Sequence, residues 1–438
     1  MSFSKDFVWG AATSSYQIEG GYKEGGRGKS IWDVFSHTEG KIFDNTNGDV
    51  ACDFFHRYKD DIKLMAELGI KAYRFSVSWS RIIPTGSGNV SEEGIQFYNN
   101  VIDELLKYNI KPYLTLYHWD LPYDLYLKGG WKNNDSAFWF RDYAKVVAER
   151  FGDRVKDFIT FNEPSVFLGC GCKDGVHAPG SKLCPLDLLY MGHNVHRAHG
   201  YALREIRNIV KDSKVTISFT TDPIIPYTSK DEEKAYKENF SCDPSNFIWS
   251  DSFWGDPVFL GKYPEEIYKA YPDFKPNEEE MKLISSPLDY IGMNIYRGKY
   301  TEGWVRKQGA SHTEIGWDVT PLSLKWGPKH FYKRYHLPIY ITENGLSCHD
   351  WVSLDGKVHD PNRIDFLNRY LLALKEANDE GVDIKGYFQW SLLDNYEWAM
   401  GYQSRFGLIF VDYETLNRIP KDSSYWYKEV IESNGENL

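Results

Sequence analysis

The chain has 438 residues, with 51 lysines and arginines against 62 aspartates and glutamates, giving a formal net charge of −11. The acidic balance and the lack of a basic run argue against nucleic acid as a partner. No window approaches the ~18 consecutive apolar residues of a membrane span, so we also expect no membrane partner. The length suits one α/β barrel with long loops, and we expect residues 1–438 to form a single domain.

Eight apolar, β-rich segments recur between stretches with helical periodicity. They are residues 7–12, 72–77, 111–118, 157–163, 215–221, 288–296, 338–343 and 386–393. Because strands alternate with helices, the sequence predicts an α/β fold, a (β/α)₈ TIM barrel with long βα loops. A doubly wound sheet is the alternative.

Two of the intervening helices have clear boundaries in the sequence. One begins at Ser91 and has apolar residues at 95, 98, 102 and 105. The other begins at Asn362, has apolar residues at 364, 367, 371 and 374, and ends close to Gly381. Segments 168–187 and 297–330 are glycine-rich and irregular, and we predict them to be long βα loops.

Polar and aromatic residues stand at the C-terminal ends of the predicted strands, where barrels of this type carry their chemistry. They are Arg74 on the second strand, His118 on the third, Asn162 and Glu163 on the fourth, Asn294 and Tyr296 on the sixth, Glu343 on the seventh and Trp390 on the eighth. We expect these side chains to converge at one mouth of the barrel.

Two glutamates end apolar strands in similar contexts. In "DFITFNEPSV", Glu163 precedes Pro164, which should hold it in an extended conformation. In "IYITENGLS", Glu343 likewise stands beside an asparagine. Each could be a solvated loop carboxylate, but a pair across one pocket is what glycoside hydrolysis requires.

Six motifs, "FVWGAATSSYQIEG", "RFSVSWSRI", "YHWDLP", "TFNEP", "ITENG" and "WSLLDNYEW", follow one another along the chain. In their content and order the chain resembles glycoside hydrolase family 1 over nearly its whole length. The resemblance implies a retaining β-glucosidase, with Glu163 as general acid/base and Glu343 as nucleophile. From the residues themselves, we expect Arg74 to keep Glu343 ionised and Tyr296 to donate a hydrogen bond to it. The charge of Glu343 should then raise the pKa of Glu163.

The resemblance also implies which residues bind the sugar. They are Gln17, His118, Trp119, Asn162, Trp390, Glu397 and Trp398, with Trp317 on the leaving-group side; from its place at a strand end, we also expect Asn294 to bind the substrate. An ionised Glu397 would repel a phosphate, which predicts a neutral β-glycoside. We therefore expect an exo-acting β-glucosidase for cellobiose, short oligosaccharides and aryl or alkyl β-glucosides, with β-galactosidase and β-fucosidase side activity. A transglycosylase and a catalytically silent sugar-binding barrel are the alternatives.

Other patterns point away from cofactors and metals. The stretch "EGGRGKS" lacks the first glycine of a phosphate loop. We expect His193, His196 and His199 to be packed or at the surface, and Cys170, Cys172, Cys184 and His177 to share a loop without a metal. Six sparse cysteines and an N-terminus without an export pattern predict a cytoplasmic protein. The sequence leaves the oligomeric state open.

Overall fold

The computed structural model describes residues 3–301 and 309–438. Eight parallel strands form a closed barrel in which the first strand pairs with both the second and the eighth. In chain order they are β1 Val8–Ala12, β2 Ala72–Ser76, β3 Lys111–Tyr117, β4 Asp157–Asn162, β5 Lys214–Thr220, β6 Ile291–Asn294, β7 Ile339–Asn344 and β8 Ile384–Trp390. All eight predicted strands are confirmed, and the closure of the sheet excludes the doubly wound alternative.

Helices follow the strands and cover the outside of the barrel. The α-helices are Ser15–Ile18, Ile31–Ser36, Phe54–Glu67, Trp79–Ile82, Glu92–Lys107, Tyr123–Leu127, Ser136–Phe151, Pro164–Leu168, Pro185–Ile209, Glu232–Asn239, Asp251–Leu260, Glu265–Ala270, Glu278–Ile284, Ser323–Tyr335, Pro361–Asp379 and Asp422–Glu432. Short strands pair outside the barrel at Ile224–Ile225 with Lys299–Tyr300 and at Ile409–Val411 with Arg418–Pro420. Within the described ranges, no helix is both long enough and apolar enough to cross a bilayer.

The two predicted helix starts differ in accuracy. Ser91 caps its helix as expected, since its hydroxyl accepts a hydrogen bond from the Gly94 N–H at 3.1 Å. The second helix begins at Pro361 rather than at Asn362, because proline fits the first helical position, where its missing N–H costs nothing. That helix ends at Asp379, and Gly381 follows with a φ of +99°, as the sequence predicts.

The two predicted long loops are partly wrong. Residues 169–173 form a π-helical turn, and the helix Pro185–Ile209 begins inside the first segment. The second segment contains the strand Lys299–Tyr300 and the start of the helix Ser323–Tyr335, and its residues 302–308 lie outside the described residues. Glycine there reflects close packing as well as irregular backbone: a Cβ on Gly171 would lie 2.4 Å from the Ala178 carbonyl oxygen.

The barrel interior is packed toward the N-terminal ends of its strands. Tyr113, Tyr340 and Phe388 form an apolar cluster there with Ala72 and Ile159. A separate and larger core lies between the barrel and its helices. Since side chains fill the interior near the N-terminal ends of the strands, a ligand must enter from the mouth at their C-terminal ends.

Irregular strand pairing occurs at that mouth. The register shifts between Ile159 and Asn162 of β4 where it pairs with β5, and again at Asn294 of β6 where it pairs with β7. Such irregularities break the strict alternation of side chains and re-aim them. They occur beside Asn162, Glu163, Asn294 and Glu343, which are candidate site residues.

A buried ionic network supports the loop after β8. Lys421 is fully buried and donates to Asp350 at 2.6 Å and to Asp394 at 2.7 Å. Arg405 also donates to Asp394, and Arg363 donates to Asp350, both at 2.7 Å. The network therefore joins the loops after β7 and β8 to the approach to the last helix.

We expect Lys421→Met to lower the free energy of unfolding by about 3 kcal/mol, the lower end of the ~3–5 kcal/mol for breaking a buried ion pair. The two aspartates would lose a shared cation, although Arg363 and Arg405 would remain. Denaturant unfolding followed by circular dichroism measures the change. Lys269→Met is the matched control, because Lys269 is 75% exposed and its pair with Glu265 should contribute less than about 1 kcal/mol. Equal effects of the two substitutions would contradict the prediction.

Candidate active site

Glu163 directly follows β4 and has a strained backbone. Its φ and ψ are +49° and +68°, in the left-handed region, so the extended conformation predicted from Pro164 is wrong. A tertiary hydrogen bond from the Glu163 N–H to Ser218 O at 2.9 Å overrides the local preference, and the Glu163 carbonyl accepts from the Val166 N–H at 2.9 Å in the turn that begins the next helix. Pro164 starts a helix instead of extending the chain. A non-glycine residue held this way is typical of functional sites.

Arg74 lies in the middle of β2 rather than at its end, contrary to the sequence prediction. Its guanidinium is buried and donates to a carboxyl oxygen of Glu343 and to the Thr342 carbonyl, the latter at 3.1 Å. A second nitrogen donates to Asn162 Oδ1 at 2.5 Å. The long side chain thus reaches from mid-strand to the mouth and links β2 with β4 and β7.

Asn294 links the second glutamate to this group. Its amide nitrogen donates to Glu163 Oε1 at 2.7 Å and to Asn162 Oδ1 at 2.9 Å. The two carboxyl groups are therefore connected through Asn294, Asn162 and Arg74.

Sequence reasoning missed the residues that orient Asn294. The Thr342 hydroxyl donates to Asn294 Oδ1 at 2.6 Å and accepts from the Ser218 hydroxyl at 2.8 Å. With its oxygen occupied, the Asn294 amide must present its nitrogen to Glu163. The polar residues 216, 218 and 220 of β5 alternate with apolar ones, and this signal could have identified Ser218 as facing the barrel interior.

Glu343 has a donor on each oxygen. Arg74 contacts Oε1, and the Tyr296 hydroxyl donates to Oε2 at 2.7 Å, as the sequence predicts. Burial raises the pKa of Tyr296 well above its ordinary value, so the phenol keeps its proton. Both contacts favour the ionised form of Glu343.

The two carboxyl groups have different electrostatic surroundings. Burial, followed by the charge of Glu343, raises the pKa of Glu163 to about 8. Burial also raises the pKa of Glu343, but Arg74 and Tyr296 oppose that rise. A proton shared by the pair therefore resides on Glu163, which faces a neutral amide rather than a cation.

Gln17 and Glu397 form a second polar group at the mouth. The Gln17 amide nitrogen donates to Glu397 Oε2 at 3.2 Å and to Asn395 Oδ1 at 2.9 Å. Burial and the charge of Glu343 raise the pKa of Glu397 to about 8, against the effect of Gln17. This shift favours the protonated form of Glu397 and opposes the ionised carboxylate expected from the sequence.

Aromatic rings flank these polar groups. Ring centroids lie 4.5 Å apart for Trp119 and Trp398, while His118 lies 5.7 Å from Trp390 and 5.8 Å from Trp398. Trp119 and Trp398 have positive φ angles of +76° and +49°. The indole N–H of Trp119 donates to the Asn162 carbonyl at 2.9 Å, which fixes one ring against the strand end.

The protonation of His118 follows from its neighbours. Because Asn162 Oδ1 accepts from Arg74, the Asn162 nitrogen must donate to His118 Nε2, 3.0 Å away. Burial and the positive charge of Arg74 lower the pKa of His118 well below its ordinary value, so the ring is neutral with its hydrogen on Nδ1. That Nδ1 has no hydrogen-bond partner within the described residues.

A cavity of about 890 Å³ opens from these groups. Its inner lining includes Trp119, Glu163, Glu397 and Trp398. Trp317 also borders it, with its ring centroid 5.2 Å from that of Tyr296. Each predicted site residue thus belongs to one continuous assembly at the C-terminal mouth.

The histidines considered as metal ligands are buried, and each lies beside a protein hydroxyl group. His193 and His196 each lie within 3.0 Å of the Tyr263 hydroxyl, and His199 lies 2.7 Å from Thr160 Oγ1. All six cysteines fall in the described ranges and are free thiols. No cluster of three or more His, Cys, Asp or Glu suited to a metal ion occurs in residues 3–301 and 309–438.

Known proteins share this sequence and architecture. A family model described as Glycosyl hydrolase family 1 matches residues 1–436. A 1,4-beta-D-glucan glucohydrolase of Thermotoga neapolitana is 44% identical over 99% of this chain and 99% of its own length. Beta-glucosidase A of Thermotoga maritima is 44% identical over 99% and 98%. A solved Thermotoga maritima beta-glucosidase in complex with deoxynojirimycin has a TM-score of 0.91 and 42% identity, covering 99% of both chains.

We expect Glu343→Gln to lower the pKa of Glu163 from about 8 toward its ordinary value, because the negative charge that favours the protonated form is removed. Titration of the labelled carboxyl carbon by ¹³C NMR measures the change. Glu397→Gln is the matched control. Because Glu397 raises the pKa of Glu163 less than Glu343 does, this substitution should lower that pKa by less. An unchanged pKa in Glu343→Gln would show that burial alone protonates Glu163.

Proposed function

The chain belongs to glycosyl hydrolase family 1, and on that basis we propose that it is a retaining exo-β-glucosidase. Its substrates would be cellobiose, short oligosaccharides and aryl or alkyl β-glucosides, cleaved at the terminal non-reducing glucosyl residue. One observation carries the mechanism: two buried carboxyl groups share a mouth, and only Glu343 contacts a cation. The family match over residues 1–436 also supports our proposal of one catalytic domain.

In the first step, the Glu343 carboxylate attacks the anomeric carbon as the bond to the leaving-group oxygen breaks. Glu163 gives its proton to that oxygen, which departs as an alcohol. Arg74 and Tyr296 orient the attacking carboxylate, and Glu163 starts in the protonated form that its raised pKa provides. The product of this step is a glucosyl ester of Glu343.

In the second step, the ester has neutralised Glu343, so the main charge that raised the pKa of Glu163 is gone. Glu163 is then a carboxylate able to take a proton from water, which attacks the anomeric carbon and releases Glu343. Two displacements at one carbon preserve its configuration. An alcohol or sugar in place of water would give transglycosylation, which is the alternative activity.

Sugar binding would use the polar groups that surround the pair. The hydrogen on His118 Nδ1 is available to a hydroxyl, and Gln17 and Glu397 offer donor and acceptor atoms at the end away from the leaving group. Trp390, Trp398 and Trp119 present apolar ring surface suited to the C–H face of a pyranose. A site of mostly neutral hydrogen-bonding groups also suits β-galactosides and β-fucosides, which we propose as side activities.

Two further observations bear on the alternatives and on location. A silent sugar-binding barrel would not need one carboxyl group paired with a cation and the other held protonated, which argues against that alternative.

All six cysteines are free thiols, which supports a reducing compartment such as the cytoplasm.

We expect the protein to hydrolyse 4-nitrophenyl β-glucoside and cellobiose, releasing β-glucose as the first product. ¹H NMR of a fresh reaction separates the anomers before they equilibrate. Initial release of the α anomer would contradict retention, and no turnover of any β-glucoside would contradict the proposed function.

Two variants test the separate roles of the glutamates within the same experiment. Glu163→Ala should slow cellobiose hydrolysis by roughly 10²–10⁴-fold, the usual worth of general acid catalysis, because a sugar leaving group needs a proton. With an activated aryl glucoside, the Glu163→Ala variant should still form the glucosyl ester, and this first step should be seen as a burst of nitrophenol. Glu343→Ala should abolish turnover of both substrates, and equal loss of the burst in both variants would contradict the assignment.

We expect Glu397→Ser to lower kcat/KM for the aryl β-glucoside by about tenfold, the worth of one or two hydrogen bonds at ~1 kcal/mol each. The 6-phosphate analogue should remain poor, because the cations lining the cavity, Arg297 and Lys299, stand beside Asp222 on the leaving-group side. Because kcat/KM falls for the aryl β-glucoside and stays low for the 6-phosphate analogue, the ratio of the two values should decrease. Glu397→Gln, which keeps the size and one oxygen, is the matched control. Unchanged discrimination in the serine variant would remove Glu397 from sugar recognition.

A further inference from the structure

Two hydroxyl groups inside the barrel are connected to Glu163 through Asn294. The Ser218 hydroxyl donates to Thr342 Oγ1 at 2.8 Å, and the Thr342 hydroxyl donates to Asn294 Oδ1 at 2.6 Å. The Asn294 amide in turn donates to Glu163 Oε1 at 2.7 Å. Ser218 and Thr342 are buried, and the mechanism proposed above gives neither hydroxyl a role.

The direction of each bond in this chain follows from Arg74. A guanidinium can only donate, so the Asn162 atom that faces it is the oxygen. The same oxygen lies 2.9 Å from Asn294, which must therefore turn its nitrogen toward it. The Asn294 oxygen then faces Thr342, whose hydroxyl has to donate and is left to accept from Ser218. Each hydrogen in the chain thus points toward Glu163.

Gly292 of β6 leaves the space in which the two hydroxyl groups meet. It pairs with Ser218 in the sheet. A Cβ at this position would lie 2.8 Å from Ser218 Oγ and 3.2 Å from Thr342 Cγ2, both tighter than an ordinary contact. Because Gly292 has no positive φ that would call for glycine, the space it leaves is what distinguishes it from alanine.

Hydrogen bonds in a buried chain polarise one another. A donor on the Asn294 oxygen withdraws electron density from the amide and makes its N–H a stronger donor to Glu163. Burial and the charge of Glu343 raise the pKa of Glu163, whereas the hydrogen bond from Asn294 lowers it. The Thr342 hydroxyl therefore acts in favour of the ionised form of Glu163.

We propose that Thr342, supported by Ser218, is a positioning residue: acting through Asn294, its hydroxyl controls how tightly Glu163 holds its proton. Neither Thr342 nor Ser218 lines the cavity, so the effect reaches the substrate only through other side chains. The inference rests on the proposed function, which requires Glu163 to be protonated in the first step and ionised in the second.

The other charged and titratable groups around Glu163 come from several elements and stay unchanged in the test. They are Arg74 of β2, Glu343 of β7, Tyr296 after β6, Glu397 after β8 and Cys170 of the π-helical turn. His118 and His177 also border the site, and burial lowers the pKa of each, so both are neutral. The contact of Arg74 with residue 342 uses the main-chain carbonyl, which a side-chain substitution leaves in place.

The test combines a ¹³C NMR titration of the Glu163 carboxyl group with the pH dependence of kcat/KM for cellobiose. Thr342→Val removes the hydroxyl but keeps the side-chain shape. It should raise the pKa of Glu163 by roughly 0.5, the scale for weakening a charge-assisted hydrogen bond. The alkaline limb of kcat/KM should move up equally, because the first step needs the protonated form.

Two further variants grade the effect. Ser218→Ala should shift both values in the same direction by less, because it removes the more distant hydroxyl, and it tests the chain even if Thr342→Val does not fold. Thr342→Ser retains the hydroxyl and should return both values to those of the wild type.

Thr216→Val is the matched control. Thr216 is buried on β5 two residues before Ser218, and its hydroxyl donates to the Tyr290 carbonyl at 2.6 Å rather than toward Glu163. It should lower the free energy of unfolding without moving either pH-dependent value. An unshifted Glu163 titration in Thr342→Val, or an equal shift in Thr216→Val, would overturn the inference. The NMR titration needs no turnover, so failure to hydrolyse any β-glucoside would overturn the proposed function alone.

Discussion

The buried guanidinium of Arg74 is the constraint on which the arrangement of the site depends. A cation in this position is tolerated only if it is paired and hydrogen-bonded, and it meets that requirement through Glu343, Asn162 and the Thr342 carbonyl. Its position fixes which carboxyl group contacts the positive charge. It also makes Asn162 present its nitrogen to His118, whose ring is kept neutral by burial and the same nearby cation. Together with burial, this one charge influences the protonation of both Glu343 and His118.

The Gln17–Glu397 end of the mouth depends on a different kind of support. Asn395 accepts from Gln17, and its neighbour Asp394 is held by Lys421 and Arg405 in the buried ionic network. Glu163 and Glu343 are oriented by side chains of the barrel strands, whereas the Gln17–Glu397 contact depends on ion pairs outside the barrel. Substitutions in the loops after β7 and β8 should therefore disturb the Gln17–Glu397 contact more than they disturb the two glutamates.

The sequence predicted the barrel, its strands and the residues that meet at its mouth, because these follow from periodicity and from polar residues at strand ends. It did not predict properties that arise only from tertiary contacts. The left-handed backbone of Glu163 results from its hydrogen bond to Ser218 of the neighbouring strand β5. This bond overrides the preference of a residue before proline for an extended conformation. Similarly, the raised pKa of Glu397 results from burial and from the charge of Glu343, a residue that is near in space but distant in the sequence. Thr342 and Ser218 went unnoticed because small polar residues within a strand resemble ordinary barrel lining.

The shifted register between β6 and β7 limits how this part of the chain can change over evolution. Thr342 and Glu343 are adjacent, yet both reach the same site, which strict strand alternation would forbid. Inserting or deleting one residue in β7 would turn one of them away and remove a contact to Asn294 or to Tyr296. This stretch can therefore diverge by substitution but not by change of length. The exposed segment 351–357 has no such restriction, and differences in length between relatives should accumulate there.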